Sequence, residues 1–448
     1  MRSICATGSI MDKLISFALP LMLSGILQLM FNAVDIVVVG RFSGSQSLAA
    51  VGSTTALINV FTNLFIGISL GTNVLAARFY GAGKTKEMSE TVHTSIALAL
   101  ISGVAMAVIG LIFSRWSLEV MGTPEDVIAQ ATLYMQIYFL GMPFFMVYNY
   151  GAAILRAVGD TKRPLFYLII SGVINAVLNM ILVIFFHMAV EGVAIATVIS
   201  QLISCILVLR CLYRSEGSYQ LRFSKLTMKK AYLMQIFQVG VPAGIQSTVI
   251  NFSNALLQSS VNSFGSVAMA GYTAANNILG FLYVSINAVT QACMSFTSQN
   301  YGVGKYKRMD KVLIDCLILS VIVGVFSAAE PISAAPRSSP STQRIPKLSK
   351  QALRSCLLQP SPTSSAESWI FSGSPEGHGS STVPMILSVI GTVGTRILWI
   401  FGIFPSHRSL YILFISYPGS WIITIIMQVI CYYFVRKKTY GQEAEKTA

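Results

Sequence analysis

The chain has 448 residues, of which 54% are hydrophobic and only 11% are charged. A soluble domain carries about 25% charged residues, so this composition excludes an ordinary soluble protein and favours one that crosses a membrane several times. The formal net charge of +14 does not indicate a nucleic-acid partner, because the cations stand in loops between apolar runs.

The apolar runs are long enough to cross about 30 Å of hydrocarbon as helices. In chain order the eleven predicted spans are 14–39, 53–77, 92–113, 131–152, 164–186, 191–213, 235–262, 273–298, 311–329, 384–404 and 409–435. Lysine and arginine concentrate in alternate loops, which is the pattern of cytoplasmic loops. The sequence therefore predicts an all-α polytopic membrane protein with both termini in the cytoplasm.

The first predicted span contains an acidic residue, Asp35, within the apolar stretch FNAVDIVVVG. A carboxylate at the centre of a membrane helix costs about 2.5–3.5 kcal/mol on insertion scales. Such an acid persists when it faces a bundle interior and binds an ion or a proton. The alternative is a structural acid capped by neighbouring donors. We predict that Asp35 is a cation-coupling residue.

Polar residues in the fifth and sixth spans are its expected partners. Asn175 and Asn179 are four residues apart and therefore share one helix face. Thr197 supplies a hydroxyl in the small-residue stretch VAIAT. Together with Asp35 these side chains would form an oxygen-only site of the kind that hard cations prefer. The alternative for the amides and the hydroxyl is hydrogen bonding between helices.

The two halves of the chain repeat each other. Three stretches recur in order at offsets of 222, 221 and 220 residues, namely ALP (18–20) as GVP (240–242), YGAGKTKE (80–87) as YGVGKYKR (301–308), and GDTKRP (159–164) as GSSTVP (379–384). Six spans in each half make the repeats parallel. The predicted domains are a six-helix lobe at 1–213, a basic cytoplasmic linker at 214–234, a second lobe at 235–435 and a cytoplasmic tail at 436–448.

One segment breaks the repeat. The apolar residues 110–158 predict a hydrophobic counterpart at about 330–378, but that segment is Ser-rich and holds seven of the fifteen prolines. It is either a disordered cytoplasmic linker or the product of two compensating frameshifts. The offset of the repeat is preserved across the segment, which favours out-of-frame translation and a missing tenth span.

Five stretches resemble the multidrug and toxic compound extrusion (MATE) family of cation-coupled exporters. They are VDIVVVGRFSGSQSLAAVG (34–52), ILRAVGDTKRP (154–164), GVINAVLNMILVI (172–184), EGVAIATVISQ (191–201) and QNYGVGK (299–305). The resemblance covers about residues 12–329 and 379–435. It implies twelve spans in two lobes, drug export, and coupling to Na⁺ or H⁺ entry at the first-helix acid, Asp35. Many relatives carry an acid at the position of Asn179, so here Asp35 is expected to act without a second carboxyl.

Aromatic residues, a methionine and polar side chains of both halves are candidates to line a cavity for flat cationic substrates, which the aromatic rings would bind through cation–π contact. They are Phe31, Met142, Phe145, Tyr148, Gln246, Asn276 and Asn287. The alternative is that they pack helices or face lipid. Expected partners are small organic cations and membrane lipids, without nucleic acid, organic cofactor or metal other than Na⁺, for a monomer in a bacterial plasma membrane.

Two other classes of function compete with the exporter. A flippase for lipids or lipid-linked precursors would be expected to line its cavity with several cations, and the predicted spans contain almost none. An enzyme would need a catalytic motif, but HExxH and the phosphate-binding GxxxxGK[ST] are both missing from the sequence. We therefore expect a secondary transporter that is not an enzyme.

Overall fold

A computed structural model describes residues 5, 8–264, 266–333, 381–406 and 409–447. Across these residues every regular element is a helix and no strand is present, which confirms the predicted all-α fold. Eight helices of the described part are long and apolar enough to cross a membrane, and a bent pair of helices raises that number to nine. The chain is therefore a polytopic membrane protein.

The helices fall into two units, defined by which residues contact each other. Unit 1 contains Leu19–Gly244, and unit 2 contains Gly8–Ala18 and the chain from Ile245 onward. The division at Gly244 lies inside a helix.

Unit 1 is built from the first seven α-helices. In chain order they are α1 (Ile10–Phe42), which begins in unit 2, α2 (Gly44–Gly81), α3 (Thr85–Val120), α4 (Glu125–Leu140), α5 (Met142–Ala157), α6 (Lys162–Met180) and α7 (Val190–Arg214). A π-helical turn, Ile181–Phe185, extends α6. The core lies where α2, α3 and α7 surround α4 and α5, and it contains the fully buried Phe139, Met146 and Tyr150.

The predicted single helix at 131–152 is wrong, because the chain breaks between α4 and α5 and bends by 46°. Pro143 lies in the first turn of α5, where its missing N–H and fixed φ suit a helix start rather than a helix interior. Gly141 stands at the break, and a Cβ there would come within 2.7 Å of Gln201 Oε1. The bend and the glycine together let α7 approach closely.

The linker between the halves is shorter than predicted and is docked on α3. The next helix, α8 (Lys230–Asn262), begins inside the predicted linker 214–234. The backbone N–H of Arg222 donates to Nε2 of the buried His93 over 3.1 Å. Lys229 Nζ lies 2.5 Å from Glu90 Oε1. These contacts hold the linker against α3.

The first turns of α8 pack on α2 through glycines. A Cβ on Gly71 would stand 2.9 Å from the backbone nitrogen of Gly240, and a Cβ on Gly67 would overlap the backbone of Gly244. Small residues four apart on both helices allow such backbone-to-backbone contact. We call this contact of Gly67 and Gly71 with Gly240 and Gly244 the glycine seam.

Unit 2 continues with the rest of α8, and its described residues form five further helices. They are α9 (Ser266–Val303), α10 (Tyr306–Ser333), α11 (Thr382–Ser388), α12 (Thr395–Leu398) and α13 (Leu410–Thr447). Two π-helical turns, Val389–Gly394 and Trp399–Ile403, flank α12. The elements from α11 to the second π-helical turn form one candidate span, Thr382–Ile403.

The anomalous segment 330–378 meets the described residues only at its start. Helix α10 extends to Ser333, four residues into the segment. The remainder, and with it the prediction of a missing tenth span, lies outside the described residues.

Candidate functional site

Asp35 lies on α1 and is half-buried within unit 1. Its Oδ1 accepts a hydrogen bond from Nδ2 of Asn179, a fully buried residue of α6. An amide donor beside a carboxylate stabilises the charged form of the acid in a place where water is scarce. The structure thus brings together the predicted acid and one predicted partner.

Asn175 and Thr197 continue the same network. Nδ2 of Asn179 also donates to Oδ1 of Asn175 over 3.3 Å, and Nδ2 of Asn175 donates to Oγ1 of Thr197 over 3.4 Å. The Thr197 hydroxyl gives its own proton to the carbonyl of Val193, 2.9 Å away, one turn earlier on α7. All four predicted cation-coupling residues therefore form one chain of hydrogen bonds across α1, α6 and α7.

One oxygen of this cluster has no hydrogen-bond partner in the part of the chain that the structure describes. It is Oδ1 of Asn179, which is buried. A buried acceptor left unpaired costs about 1–3 kcal/mol. Rotating the amide by half a turn would exchange its oxygen and nitrogen, turning this acceptor toward Asp35. The cluster can thus present either a donor or an oxygen ligand to the space beside the carboxylate.

Sequence reasoning missed two tyrosines near the acid and a glutamine that contacts one of them. Tyr134 and Tyr138 of α4 stack with ring centroids 6.2 Å apart, and both lie close enough to Asp35 to interact electrostatically. Tyr138 also shares a hydrogen bond with Gln201 of α7. The sequence spacing could have indicated these residues. Tyr134 and Tyr138 are four residues apart and share a helix face, and so do Thr197 and Gln201.

The backbone of α6 changes just after the cluster. Its α-helix ends at Met180, and the π-helical turn Ile181–Phe185 follows. A π-turn inserts an extra residue into the helix, re-aims the side chains around it, and occurs often at functional sites. Apolar residues alone fill this turn, so the sequence pattern does not reveal it.

The residues predicted to line a substrate cavity in unit 1 are mostly packed. Met142 is fully buried in the core, and Tyr148 is buried with its hydroxyl donating to the carbonyl of Pro164 over 3.1 Å. Phe145 is partly buried against the same core. The Phe31 ring covers Gly172, where a Cβ would overlap it. Met142 and Tyr148 thus pack helices, which is the alternative stated for these residues.

The polar candidates of unit 2 are dispersed. Gln246 is buried, and its Oε1 finds no hydrogen-bond partner among the described residues. Asn287 is partly buried and accepts from Gln291 Nε2 over 3.1 Å, while Asn276 is exposed. The structure brings none of these three into a described cluster with the others.

A charged residue in unit 2 escaped sequence reasoning altogether. Arg396 of α12 lies within the span Thr382–Ile403 and is 2% exposed. Its Nη1 donates to Oδ1 of Asn254 over 2.8 Å, and its Nε donates to Oγ of Ser420 over 3.3 Å. The guanidinium carbon stands 4.4 Å from the centre of the Tyr417 ring. An arginine inside an apolar span was itself the signal.

Buried polar clusters inside the spans of an all-helical, repeated chain are the architecture of membrane transporters. The MatE family model matches residues 20–181 and matches again over residues 242–401. The chain therefore belongs to the MatE family, which confirms the resemblance to multidrug and toxic compound extrusion proteins. Within the described residues no group of three or more His, Cys, Asp or Glu side chains could hold a metal ion.

Relatives in sequence and in structure agree with this assignment. The chain is 29% identical to "Probable multidrug resistance protein YoeA" of Bacillus subtilis, over 94% of this chain and 93% of that protein. It is 24% identical to "Probable multidrug resistance protein NorM" of Thermotoga maritima, over 87% and 84% respectively. It also has the fold of an outward-facing multidrug resistance MATE family transporter of the MOP superfamily, with a TM-score of 0.88, 20% identity and 99% of both chains covered.

Proposed function

We propose that the chain is a secondary active antiporter that exports small organic cations in exchange for Na⁺ or H⁺. Family membership supports multidrug efflux, and the Asp35 cluster supports the coupling to an ion. We place the protein in a bacterial plasma membrane as a monomer with both termini in the cytoplasm. The bacterial relatives and the basic loops support that placement.

The observation that carries the proposal is the set of oxygens around Asp35. The carboxylate, the buried Oδ1 of Asn179, Oδ1 of Asn175 and Oγ1 of Thr197 come from helices α1, α6 and α7. Oxygen ligands suit a hard cation such as Na⁺. A cation would bind the carboxylate directly while the Asn179 amide rotates to present its oxygen. A proton would reach the same carboxylate without that rotation.

An ion bound among three helices changes the balance of contacts between them. The Asn179 amide links α6 to α1 by donating to Asp35. A bound cation or proton weakens this hydrogen bond, because it neutralises the negative charge of the Asp35 carboxylate that accepts it. Ion binding thus favours one packing of these helices over another, which is what coupling to substrate movement requires.

The test is the substitution Asp35→Asn, which keeps the size of the side chain and removes its charge. Export of ethidium from energised, pump-deficient cells should fall to the level of the empty host, with membrane accumulation unchanged. Asp126→Asn makes the same chemical change at an exposed position of α4 and should leave export intact. Undiminished export by the Asp35 variant would refute the coupling role. Proteoliposomes with an imposed Na⁺ or pH gradient then identify the ion.

A further inference from the structure

Arg396 carries a positive charge at neutral pH and cannot shed it, unlike a buried lysine or carboxyl. It stands within an apolar span, at a depth where an uncompensated charge is costly. Of the acidic side chains that the structure describes, none forms an ion pair with it. The charge of the guanidinium is therefore balanced by neutral groups in the described part of unit 2.

Those neutral groups hold the guanidinium plane in a fixed position. The Tyr417 ring lies beneath it, Trp421 lies 6.0 Å away, and Ser420 binds Nε from the same helix, α13. The Tyr417 hydroxyl is in turn 2.7 Å from the hydroxyl of Tyr272 on α9. A planar fork held on an aromatic ring is pre-organised to bind a planar anion through two parallel hydrogen bonds.

The guanidinium is also within reach of the surface of the protein. Asn254 of α8, whose Oδ1 accepts from Nη1, is an exposed residue. The other terminal nitrogen, Nη2, makes no hydrogen bond to a described residue. An anion that displaces the Asn254 amide would replace a neutral acceptor by a charged one and could bridge Nη1 and Nη2.

The backbone supports a site at this position. Arg396 lies on a single turn of α-helix between two π-helical turns. The offset of 220 residues between the repeats places it beside the counterpart of Asn175, the residue of the Asp35 cluster on α6. In both units the polar group therefore stands next to a π-helical turn of the corresponding span, and such turns occur often at functional sites.

We infer that Arg396, with Asn254 at its entrance, is a carboxylate-binding subsite of unit 2. The ligand class is an organic substrate that carries a carboxylate, including zwitterions that combine it with a delocalised cation. The inference rests on the proposed export function and narrows its substrate range. The guanidinium supplies the paired donors Nη1 and Nη2, the Tyr417 ring positions them, and the Asn254 amide occupies Nη1 until a carboxylate arrives.

The test compares tetramethylrhodamine, which carries a free carboxyl, with its methyl ester, which differs by one methyl group and lacks the negative charge. Dye binding to the purified full-length chain is followed by fluorescence anisotropy. Arg396→Gln should weaken the free-acid dye by about tenfold to a hundredfold, the range for losing hydrogen bonds to a charged group. Binding of the ester should change less than about twofold. Arg115→Gln, at an exposed arginine of α3, is the matched control.

A second variant keeps Arg396 in place. Asn254→Asp puts a carboxylate of the protein itself where the Asn254 amide now accepts from Nη1. It should weaken the free-acid dye by about tenfold and spare the ester, even if Arg396→Gln accumulates poorly. An equal loss of both dyes in both variants would make Arg396 a structural brace and overturn the inference. Unchanged binding of the free acid would overturn it too. If the parent chain bound the ester but not the free acid, the inference would fail while the proposed export of organic cations would stand.

Discussion

Both units hold an ionisable side chain inside a candidate span, and the two are opposite in sign. In unit 1, Asp35 is bound by an amide, and a further amide and a hydroxyl continue the network. In unit 2, Arg396 is bound by an amide, a hydroxyl and an aromatic face. A carboxylate can take up a proton or a cation and become neutral, whereas a guanidinium stays charged. Unit 1 therefore carries a switchable charge, Asp35, which ion or proton binding can neutralise, and unit 2 carries a permanent charge, Arg396.

The largest expected effect concerns the segment of unit 2 that corresponds to α4 and α5 of unit 1. In unit 1, α4 and α5 supply core residues and the tyrosines beside Asp35. Their counterpart falls on 330–378, whose sequence is not apolar. Correcting the reading frame at both ends of that segment should restore an apolar helix and raise drug export from near zero to a full level. The measurement is drug resistance of a pump-deficient host that expresses either version.

Membrane levels of both versions must be measured in the same cells. If the chain as written accumulates normally and confers full resistance, 330–378 is a genuine linker and the frameshift interpretation is wrong. If neither version protects the cells although both accumulate, the sequence of 330–378 is not what limits activity.

A pair of matched substitutions probes the switchable and permanent charges directly. Asn254→Leu and Asn179→Leu each remove the amide that binds the charged group and keep the number of side-chain heavy atoms. Losing a hydrogen bond to a charged group costs about 1.5–3 kcal/mol. We expect Asn254→Leu to reach this range, because Arg396 cannot neutralise itself. Asn179→Leu should destabilise less at low pH than at neutral pH, because a protonated Asp35 no longer needs the donor.

Thermal unfolding of the purified variants at pH 5 and pH 8 measures both effects. The loss of stability should depend on pH for the unit 1 variant and remain constant for the unit 2 variant. Equal pH dependence in the two variants would show that the charges do not differ in this way.

How much of this contrast the sequence predicts depends on whether the contacts lie within one helix or between helices that are distant in the chain. Apolar length identified the helices, and the four-residue spacing of Asn175 and Asn179 identified one face of the Asp35 cluster. The contact of Tyr138 with Gln201 was not foreseen, because it arises from the approach of α7 to α4. The bend at Gly141 was not foreseen because the apolar run continues across it, although Pro143 marks the start of α5. Arg396 was visible in the sequence as an arginine inside an apolar span, but its partners could not be predicted, because they come from α8 and α13, far apart in the chain.

The smallest expected effect concerns ion pairs at the helix ends. In unit 2, Asp310 of α10 accepts from Arg436 over 3.0 Å and from the Tyr432 hydroxyl over 2.6 Å, so it joins α10 to α13. In unit 1, Asp160 pairs with Arg163 over 3.2 Å within one turn of chain. Exposed ion pairs contribute about 0–1 kcal/mol. Asp310→Asn should therefore destabilise only slightly, since Asn still accepts from Tyr432, and Asp160→Asn should do the same.

Unfolding midpoints in low and high salt give the measurement for both variants. Salt should reduce the small losses further, because it screens exposed charges. A loss of several kcal/mol for Asp310→Asn alone would show that the contact of α10 with α13 depends on this pair, and that unit 2 is held together differently from unit 1.

The glycine seam has a consequence for expressing the protein as two polypeptides. A cut in the linker at residues 215–229 leaves the first turns of α8 at the start of the second fragment, and with them Gly240 and Gly244. Those glycines lie backbone to backbone against Gly67 and Gly71 of the first fragment. The second fragment would thus begin with a segment shaped to dock on the first. Co-expressed half-chains divided there should reassemble, and a bulky residue at Gly71 should prevent it.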